Sequence, residues 1–357
     1  MTVAGDFTGR RECSVHQSDD ACVHSRSATD WSHVYEQLQP GRFHGTHAEA
    51  WLGPVQICYE RVDGAFKYYG RAWHGSRVFL SFLPGSGDIH YDGRPVANEV
   101  LLTNRWDAVD RVTCSRQAEL LVVTIDEAFF ERYAAEVAGR TFFASDDGSP
   151  VVCTRDKRLV SAFERSVADA LAALSDNPGL FDDDMARRAI RHSILGPLCD
   201  VLLAQPPDEM RLPSSSTRSY IVDKAIEFIE AKLADQLSIP DVCATIRVCE
   251  RTLRYSFEQV LGVTPSQYIR ATRLNRVRRE LATGRQSSIE SAAVRWGFWH
   301  MGHFARYYRQ TFGEHPSATI QAAPKARGGR VPAASLPVRP MRISPDLYGA
   351  ARRCIAV

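Results

Sequence analysis

The sequence predicts an α+β chain with a β-rich N-terminal domain and an all-α C-terminal domain. Between residues 48 and 125, short runs of β-branched and aromatic residues are broken by Gly, Pro or Asp-Gly, which is typical of a small barrel or sandwich. From residue 127 onward, apolar residues recur at three- and four-residue intervals, which indicates helices. Near the C-terminus this spacing predicts two helix-turn-helix units, within residues 237–257 and 289–312, joined by a long helix.

Composition places the chain among ordinary globular proteins. Its 357 residues are 44% hydrophobic and 24% charged, which predicts two domains. The net charge is only +2, so any affinity for nucleic acid must come from a local basic cluster. Nine cysteines without a CxxC pair argue against a disulfide framework, so we expect reduced thiols and a cytoplasmic protein. We expect no secretory signal, because residues 1–30 are polar and contain no apolar stretch, and no run approaches the ~18 apolar residues of a membrane span.

Changes in composition predict five segments. Residues 1–30 are polar and are expected to form a flexible tail, and residues 31–204 are expected to form the β-rich N-terminal domain with a helical C-terminal part. A Pro- and Ser-rich linker spans residues 205–217. The helical C-terminal domain occupies residues 218–321, and residues 322–357 form a flexible basic tail.

The N-terminal domain is predicted to contain strands followed by helices. Its predicted strands occupy residues 55–62, 66–73, 78–83, 88–90, 100–103 and 120–125. Asp92–Gly93 is a favourable hairpin turn. Helices are expected at residues 127–138, 156–174 and 185–203, with a break at Asn177-Pro178-Gly179. These helices are candidates for a dimerisation surface.

The first helix-turn-helix unit begins at Ser238, which is a plausible N-cap. After a turn at residues 247–249, a second helix starts at Glu250 and buries Leu253 and Phe257. The outward side chains are Arg251, Thr252, Arg254 and Tyr255. In such a unit these positions enter the major groove, where Arg pairs bidentately with guanine.

The long bridging helix runs from Pro265 to about residue 281, after a left-handed Gly262 and an N-cap at Thr264. It carries five arginines against one acid, Glu280. We expect these arginines on the solvated side of the helix, where they neutralise phosphates. The arginines expected to do so are Arg270, Arg273 and Arg276. A solvated charged face without a ligand is the alternative.

The second unit consists of a helix over residues 289–296, a turn at Gly297-Phe298 and a helix that ends at Phe312. Phe304 and Tyr308 lie in its buried stripe. The outward side chains are His300, His303, Arg306 and Arg309. The two histidines have a spacing that can bind a metal, but no acid or cysteine is nearby in sequence, so groove contact is favoured.

These spacings resemble a known family. The pattern is Leu253-x3-Phe257-x4-Gly262-x2-Pro265, then Tyr268-x4-Arg273-Leu274, then Gly297-Phe298-x5-Phe304-x7-Phe312-Gly313-x2-Pro316-Ser317. Over residues 220–320 it resembles the AraC/XylS-type transcription regulators. The resemblance implies a cupin-like N-terminal barrel that binds a small-molecule effector, with double-stranded DNA and RNA polymerase as partners. It also implies base-reading positions at Met301 and Gly302, and an activator that can form a homodimer.

Two further features refine this resemblance. The run from Trp296 to His300, together with Tyr35–Gly45 upstream, looks like the subgroup that includes the ethanolamine operon regulator. Three positions depart from the family pattern, because Cys243, Arg247 and Cys249 stand where it usually has Ala, Gly and a capping Ser or Thr. Arg247 is therefore expected to adopt a positive φ at a cost of roughly 1 kcal/mol.

The effector pocket is predicted from aromatic and polar residues of the strands. The candidates are Tyr59, Arg71, Trp73 and His74. Such aromatics more often fill a β core. His44 and His47 are spaced as in cupin metal sites, but we expect no metal and no cofactor, since the family's barrels usually lack a metal.

Two other classes of function are alternatives to a transcription regulator. One is a cupin-like, metal-dependent enzyme domain fused to a DNA-binding module. The sequence shows no nucleophile motif and no metal-ligand cluster, so we expect no enzymatic activity and no catalytic residues. The other is a structural partner protein that dimerises through its helical middle.

Overall fold

The computed structural model describes residues 13–98, 100–143, 151–154, 156–204, 217–283 and 288–322. The predicted linker, apart from Thr217, lies outside the described residues, as do residues 1–12 of the predicted N-terminal tail. Residues 323–357 of the predicted C-terminal tail also lie outside them.

The N-terminal half is built from two antiparallel sheets. The strands are β1 (Cys13–Ser18), β2 (Ser32–Gln37), β3 (His44–Trp51), β4 (Val55–Asp63), β5 (Phe66–Arg71), β6 (Ser76–Phe82), β7 (Ile89–Tyr91), β8 (Arg94–Val96), β9 (Leu101–Arg105), β10 (Asp110–Cys114), β11 (Ala118–Asp126) and β12 (Val151–Thr154). One sheet has seven strands in the order β1-β3-β4-β11-β6-β9-β12, and the other has five in the order β2-β5-β10-β7-β8. The described strands therefore form two open sheets, and the cupin-like closed barrel is not confirmed.

Alternation along the strands sorts the side chains into two cores. On β6 and β11, Leu80 and Val122 pack between the two sheets, whereas Phe79 and Val123 point to the opposite face. That opposite face of the seven-stranded sheet is covered by helices. The result is three layers: a five-stranded sheet, a seven-stranded sheet and a helical layer.

The helices follow the predicted periodicity. They are α1 (Ala21–His24), α2 (Glu127–Val137), α3 (Lys157–Asp176), α4 (Asp184–Leu203), α5 (Thr217–Ala231), α6 (Ile239–Ile246), α7 (Glu250–Leu261), α8 (Pro265–Ala282), α9 (Ile289–Arg295), α10 (Met301–Phe312) and α11 (Pro316–Ala322). In α3 the residues Phe163, Val167 and Leu171, four apart, are fully buried against the seven-stranded sheet. A short 3₁₀ turn at Pro178–Phe181 separates α3 from α4, at the predicted break.

Local turn chemistry also agrees with prediction. Asp92 (φ 48°) and Gly93 (φ 71°) are both left-handed and join β7 to β8, as a two-residue hairpin turn requires. The predicted tail is different, because residues 13–18 form β1 and pair with residues 45–50 of β3. The polar pattern of β1 gave no strand signal, and its pairing partner lies some thirty residues further along the chain. The helix α1 that follows is capped by the Asp20 side chain.

The C-terminal helices form two small cores joined by α8. Tyr268 and Ile269, near the start of α8, belong to the core of the first helix-turn-helix unit, and Leu274 and Val277 belong to that of the second. Capping boxes open α6 and α8, where the side chains of Ser238 and Thr264 accept hydrogen bonds from backbone amides. Leu38 from the N-terminal half is buried in the first core, so the two halves share apolar contacts.

Arg247 ends α6 in the left-handed region, at φ 57° and ψ 47°. Since glycine has no Cβ to clash there, Arg247→Gly is expected to raise the free energy of unfolding by about 1 kcal/mol. Urea denaturation measures this change. Arg247→Ala is the matched control, because it removes the same charge and side chain but keeps the Cβ. Equal stabilisation by both variants would show that the backbone conformation is not the cause.

Candidate nucleic-acid interface

The second helix of the first unit presents its predicted groove residues to solvent. Arg251, Thr252, Arg254 and Tyr255 are all exposed, and Leu253 and Phe257 are fully buried beneath them. The Arg254 guanidinium is paired with Glu258 one turn later, at 2.9 Å, and both groups remain exposed. An exposed pair of this kind is weak and can exchange for a base or a phosphate. Cys249 provides no side-chain cap for this helix, as expected.

The second unit has the same arrangement on α10. His300, His303, Arg306 and Arg309 are exposed, whereas Phe304 and Tyr308 are buried. A Cβ added to Gly302 would have no neighbour within 4 Å, so the backbone is open to close approach at this point.

The sequence analysis did not identify Trp299 as a candidate DNA contact. The Trp299 side chain is 59% exposed and lies immediately before α10. Its position next to a helix predicted to enter a DNA groove is the only sequence feature that could have identified it as a candidate contact.

The bridging arginines are not where the sequence predicted them. None of the five is exposed in α8, so the expectation of a solvated basic face is wrong. Arg273 donates hydrogen bonds to the carbonyl oxygens of Leu233 (3.0 Å) and Asp235 (2.7 Å). A Cβ on Gly297 would lie 2.9 Å from Arg273 Cζ, so this guanidinium packs under the turn of the second unit. The Arg270 guanidinium lies 4.5 Å from the centre of the Tyr307 ring.

Two of these arginines bind a buried carboxylate of the N-terminal half. Glu36 on β2 is fully buried, and its Oε1 accepts a hydrogen bond from Arg279 at 3.0 Å. Arg276 Nε lies 3.8 Å from the same oxygen, and Arg276 also donates to Glu230 at 2.9 Å. Burial opposes ionisation of Glu230, but Lys67 and Arg276 together hold its pKa below the usual value. We call Glu36, Lys67, Glu230, Arg276 and Arg279 the interdomain charge cluster.

A second ion pair connects the C-terminal part of α8 to the N-terminal half. Arg278 is buried and donates to Asp20 of the N-terminal half, with Nε 2.6 Å from Oδ2. Its Nη1 also lies 3.1 Å from Glu314. Burial lowers the pKa of Arg278, but Asp20, Tyr308 and Glu314 together outweigh it and raise the pKa above its usual value. Asp20 belongs to the segment predicted as a tail, so this pair could not be predicted from the sequence.

Backbone contacts add to these ion pairs. Asn275 on α8 donates to the carbonyl oxygen of Gln37 at 2.8 Å, and Gln37 Nε2 donates to the carbonyl oxygen of Thr311 at 3.0 Å. The amide of Gly41 donates to the carbonyl oxygen of Gln310 at 3.2 Å. The segment that follows β2 therefore holds both α8 and α10.

The predicted effector residues do not meet in one cavity. Tyr59 faces the helical layer, Trp73 is buried and donates to Gln56 at 3.3 Å, and Arg71 is exposed at the end of β5. His74 is exposed and its ring centre lies 4.1 Å from that of Trp106. A different cavity lies between the two sheets. Its walls include His33, Tyr35, His47, Cys58, Glu60 and Tyr68.

Two helix-turn-helix units with exposed second helices, joined by a single helix, define a DNA-binding transcription regulator. Residues 242–322 match the family described as "Helix-turn-helix domain". The chain is 35% identical over 251 residues to the XylDLEGF operon transcriptional activator 3 of Pseudomonas putida, a match that covers 70% of this chain and 69% of that protein. The chain belongs to the AraC/XylS family of transcriptional regulators.

Two other similarities are shorter. The chain is 34% identical over 106 residues to the probable thc operon regulatory protein of Rhodococcus erythropolis, covering 29% of this chain and 32% of that one. A probable AraC family transcriptional regulator from Rhodopseudomonas palustris has a solved structure that is 33% identical, with a TM-score of 0.28, covering 29% of this chain and 99% of that one. These relatives do not support the predicted ethanolamine operon subgroup. They are named as regulators, which agrees with the expectation that the chain is not an enzyme.

The described part of the chain contains no helix with the length and apolar character that a membrane span requires.

Asp223 on α5 lies in the contact between the two halves and makes the stability of the folded chain depend on pH. It lies so close to the β7–β8 turn that a Cβ on Gly93 would clash with its carboxylate. Burial, with Asp92 and Glu227 nearby, raises the pKa of Asp223 to about 6. The folded chain therefore holds this proton more tightly than the unfolded chain, so the stability that the protonated carboxyl contributes is fully present below pH 3.8 and is lost as the pH rises to about 6.

Lowering the pH from about 7 to about 5 is thus expected to stabilise the wild-type chain relative to Asp223→Asn, which cannot ionise. Thermal or urea unfolding across this range measures the difference. Asp235→Asn, at an exposed position, is the matched control and should keep the wild-type pH dependence. An identical pH profile for the wild type and Asp223→Asn would contradict the assignment.

Proposed function

We propose that this regulator is a cytoplasmic transcription activator whose DNA binding is controlled by a small molecule in the N-terminal half. The observation that carries this proposal is the contrast between two sets of basic side chains. Arg254 and Arg306 are exposed on the second helices of the two units, whereas Arg276 and Arg279 are held by Glu36. RNA polymerase is the proposed partner for activation, and a homodimer through the helical layer is compatible with it.

In this proposal the two units read base edges and the bridging helix responds to the N-terminal half. Arg251, Thr252, Arg254 and Tyr255 would enter one major-groove segment, and His300, His303, Arg306 and Arg309 the next. Arg270, Arg273 and Arg276 remain candidates for phosphate contact. For Arg276 such contact requires exchange of its bond to Glu230 for a phosphate.

The cavity between the sheets is the proposed effector site, in preference to the residues chosen from sequence. Tyr35 lines this cavity from β2, and the next residue of the same strand is Glu36, whose carboxylate binds α8. Successive side chains of a strand point to opposite faces. A ligand that moves Tyr35 would therefore also shift Glu36, provided that it binds one conformation better than the other.

Base reading by the exposed arginines predicts a loss of operator affinity. Arg254→Ala and Arg306→Ala should each cost about 1–3 kcal/mol of binding, because each removes a contact to a base edge. Fluorescence anisotropy with operator DNA mapped from the genome measures it. Arg165→Ala, an exposed arginine on α3, is the matched control and should bind like the wild type. Unchanged affinity in both variants would favour a structural partner protein over a DNA reader.

Release of the interdomain charge cluster predicts the opposite effect. Glu36→Gln removes the charge that holds Arg279, whereas Arg276 keeps its bond to Glu230, so DNA affinity should rise at low salt. The dependence of the affinity on salt concentration should steepen by about 1 in the log–log slope, for one additional phosphate contact. Asp107→Asn, which breaks the surface pair with Arg105 (2.6 Å), is the control. A salt slope equal to that of the control would rule out phosphate contact by the released Arg279.

A further inference from the structure

The face of the seven-stranded sheet that lines the space between the sheets carries a group of buried donor atoms. One ligand atom each from His47, Glu49 and Cys58 lie within 4.8 Å of one another, and all three residues are buried. Strand register creates this group, because Glu49 on β3 is directly opposite Cys58 on β4, and His47 is opposite Glu60. Side chains opposite each other on one face of an antiparallel pair are close neighbours.

The imidazole of His47 is short of partners. Among the described residues, neither of its ring nitrogens has a hydrogen bond. Nε2 lies 3.5 Å from Glu49 Oε2, and Nδ1 lies 3.9 Å from Glu60 Oε1. Buried polar atoms are nearly always well bonded, and these two long contacts to carboxylates leave the imidazole more weakly bonded than is usual for such atoms.

We propose that His47, Glu49 and Cys58 bind a zinc ion. Nitrogen, oxygen and thiolate sulfur together form a donor set typical of zinc, whereas magnesium and calcium prefer oxygen alone. Three protein ligands leave a fourth position, and His47 and Cys58 both line the cavity between the sheets. This site differs from the His44 and His47 pair considered from sequence, because His44 is exposed and bonded to Asp19 at 2.7 Å.

The surroundings of the three donors match those of a metal site. Ligating histidines usually bond to a carboxylate through their other nitrogen, and Glu60 faces Nδ1 of His47 in that position. Glu60 is held in turn by His24 Nε2 at 2.8 Å. The Glu49 carboxylate is oriented by the Thr29 amide (3.0 Å) and by Gln56 Nε2 (2.9 Å).

Charge also favours a cation at this point. Zinc binding replaces the thiol proton of Cys58 with a sulfur–zinc bond and releases that proton to solvent. The resulting thiolate and the Glu49 carboxylate balance the charge of the ion. This proposal does not depend on which effector the chain binds.

The experiment uses the full-length chain, stripped with a chelator and then dialysed against zinc or cobalt(II). Elemental mass spectrometry is expected to find about one zinc per chain, and cobalt to give a thiolate-to-metal charge-transfer band. Cys58→Ser should lose the band and most of the bound metal. Cys114→Ser is the matched control, since Cys114 is a buried thiol in the same core but outside the group of donors.

A second variant covers the case in which Cys58→Ser does not fold. Glu60→Gln keeps all three ligands and removes only the carboxylate that faces His47, so zinc affinity should fall by about 10–100-fold while the cobalt band remains. Wild-type chain without the cobalt–thiolate band would overturn the proposal. So would equal metal binding by wild type and Cys58→Ser, because the metal would then be held by surface groups.

Discussion

The structure depends on one constraint: the guanidinium groups of the bridging helix are half-buried or, at Arg278, buried, and they need partners within the protein. Arg273, Arg276, Arg278 and Arg279 lie on a helix that packs against two helical cores and the N-terminal half. A buried charge is tolerated only with a partner, and removing the partner is strongly destabilising. The positions of Glu36, Asp20 and Glu230 therefore determine how the two halves fit together.

In the proposed function, this constraint also connects DNA recognition to regulation. The side chains proposed to read bases remain outside the contact between the halves, whereas the arginines that pair with Glu36 are held within it. Glu36 is fully buried, so its ion pairs are screened by salt much less than surface pairs. Since Tyr35 and Glu36 are consecutive on β2, the cavity between the sheets and the bridging helix are separated by one strand. The proposed effector would then act through a small displacement of β2.

Local chemistry explains which predictions the structure confirms. The caps at Ser238 and Thr264, the left-handed Gly262 and Arg247, and the Asp92–Gly93 turn each depend on residues within a few positions of one another. Helices α7 and α10 were predicted from apolar spacing, and their buried stripes are as expected. The missed features are of another kind. β1 pairs with β3 some thirty residues away, and Arg278 pairs with Asp20, 258 residues earlier in the chain.

The sequence by itself determined the two helix-turn-helix units, their exposed basic side chains and the β-rich character of the N-terminal half. It did so because helix caps, turns and periodicity are set by neighbours along the chain. Only the tertiary structure decided that the bridging arginines face inward and that His47, Glu49 and Cys58 meet. Both outcomes require strand register and packing between distant segments, and in a single sequence an arginine that will be paired looks the same as one that will stay in water.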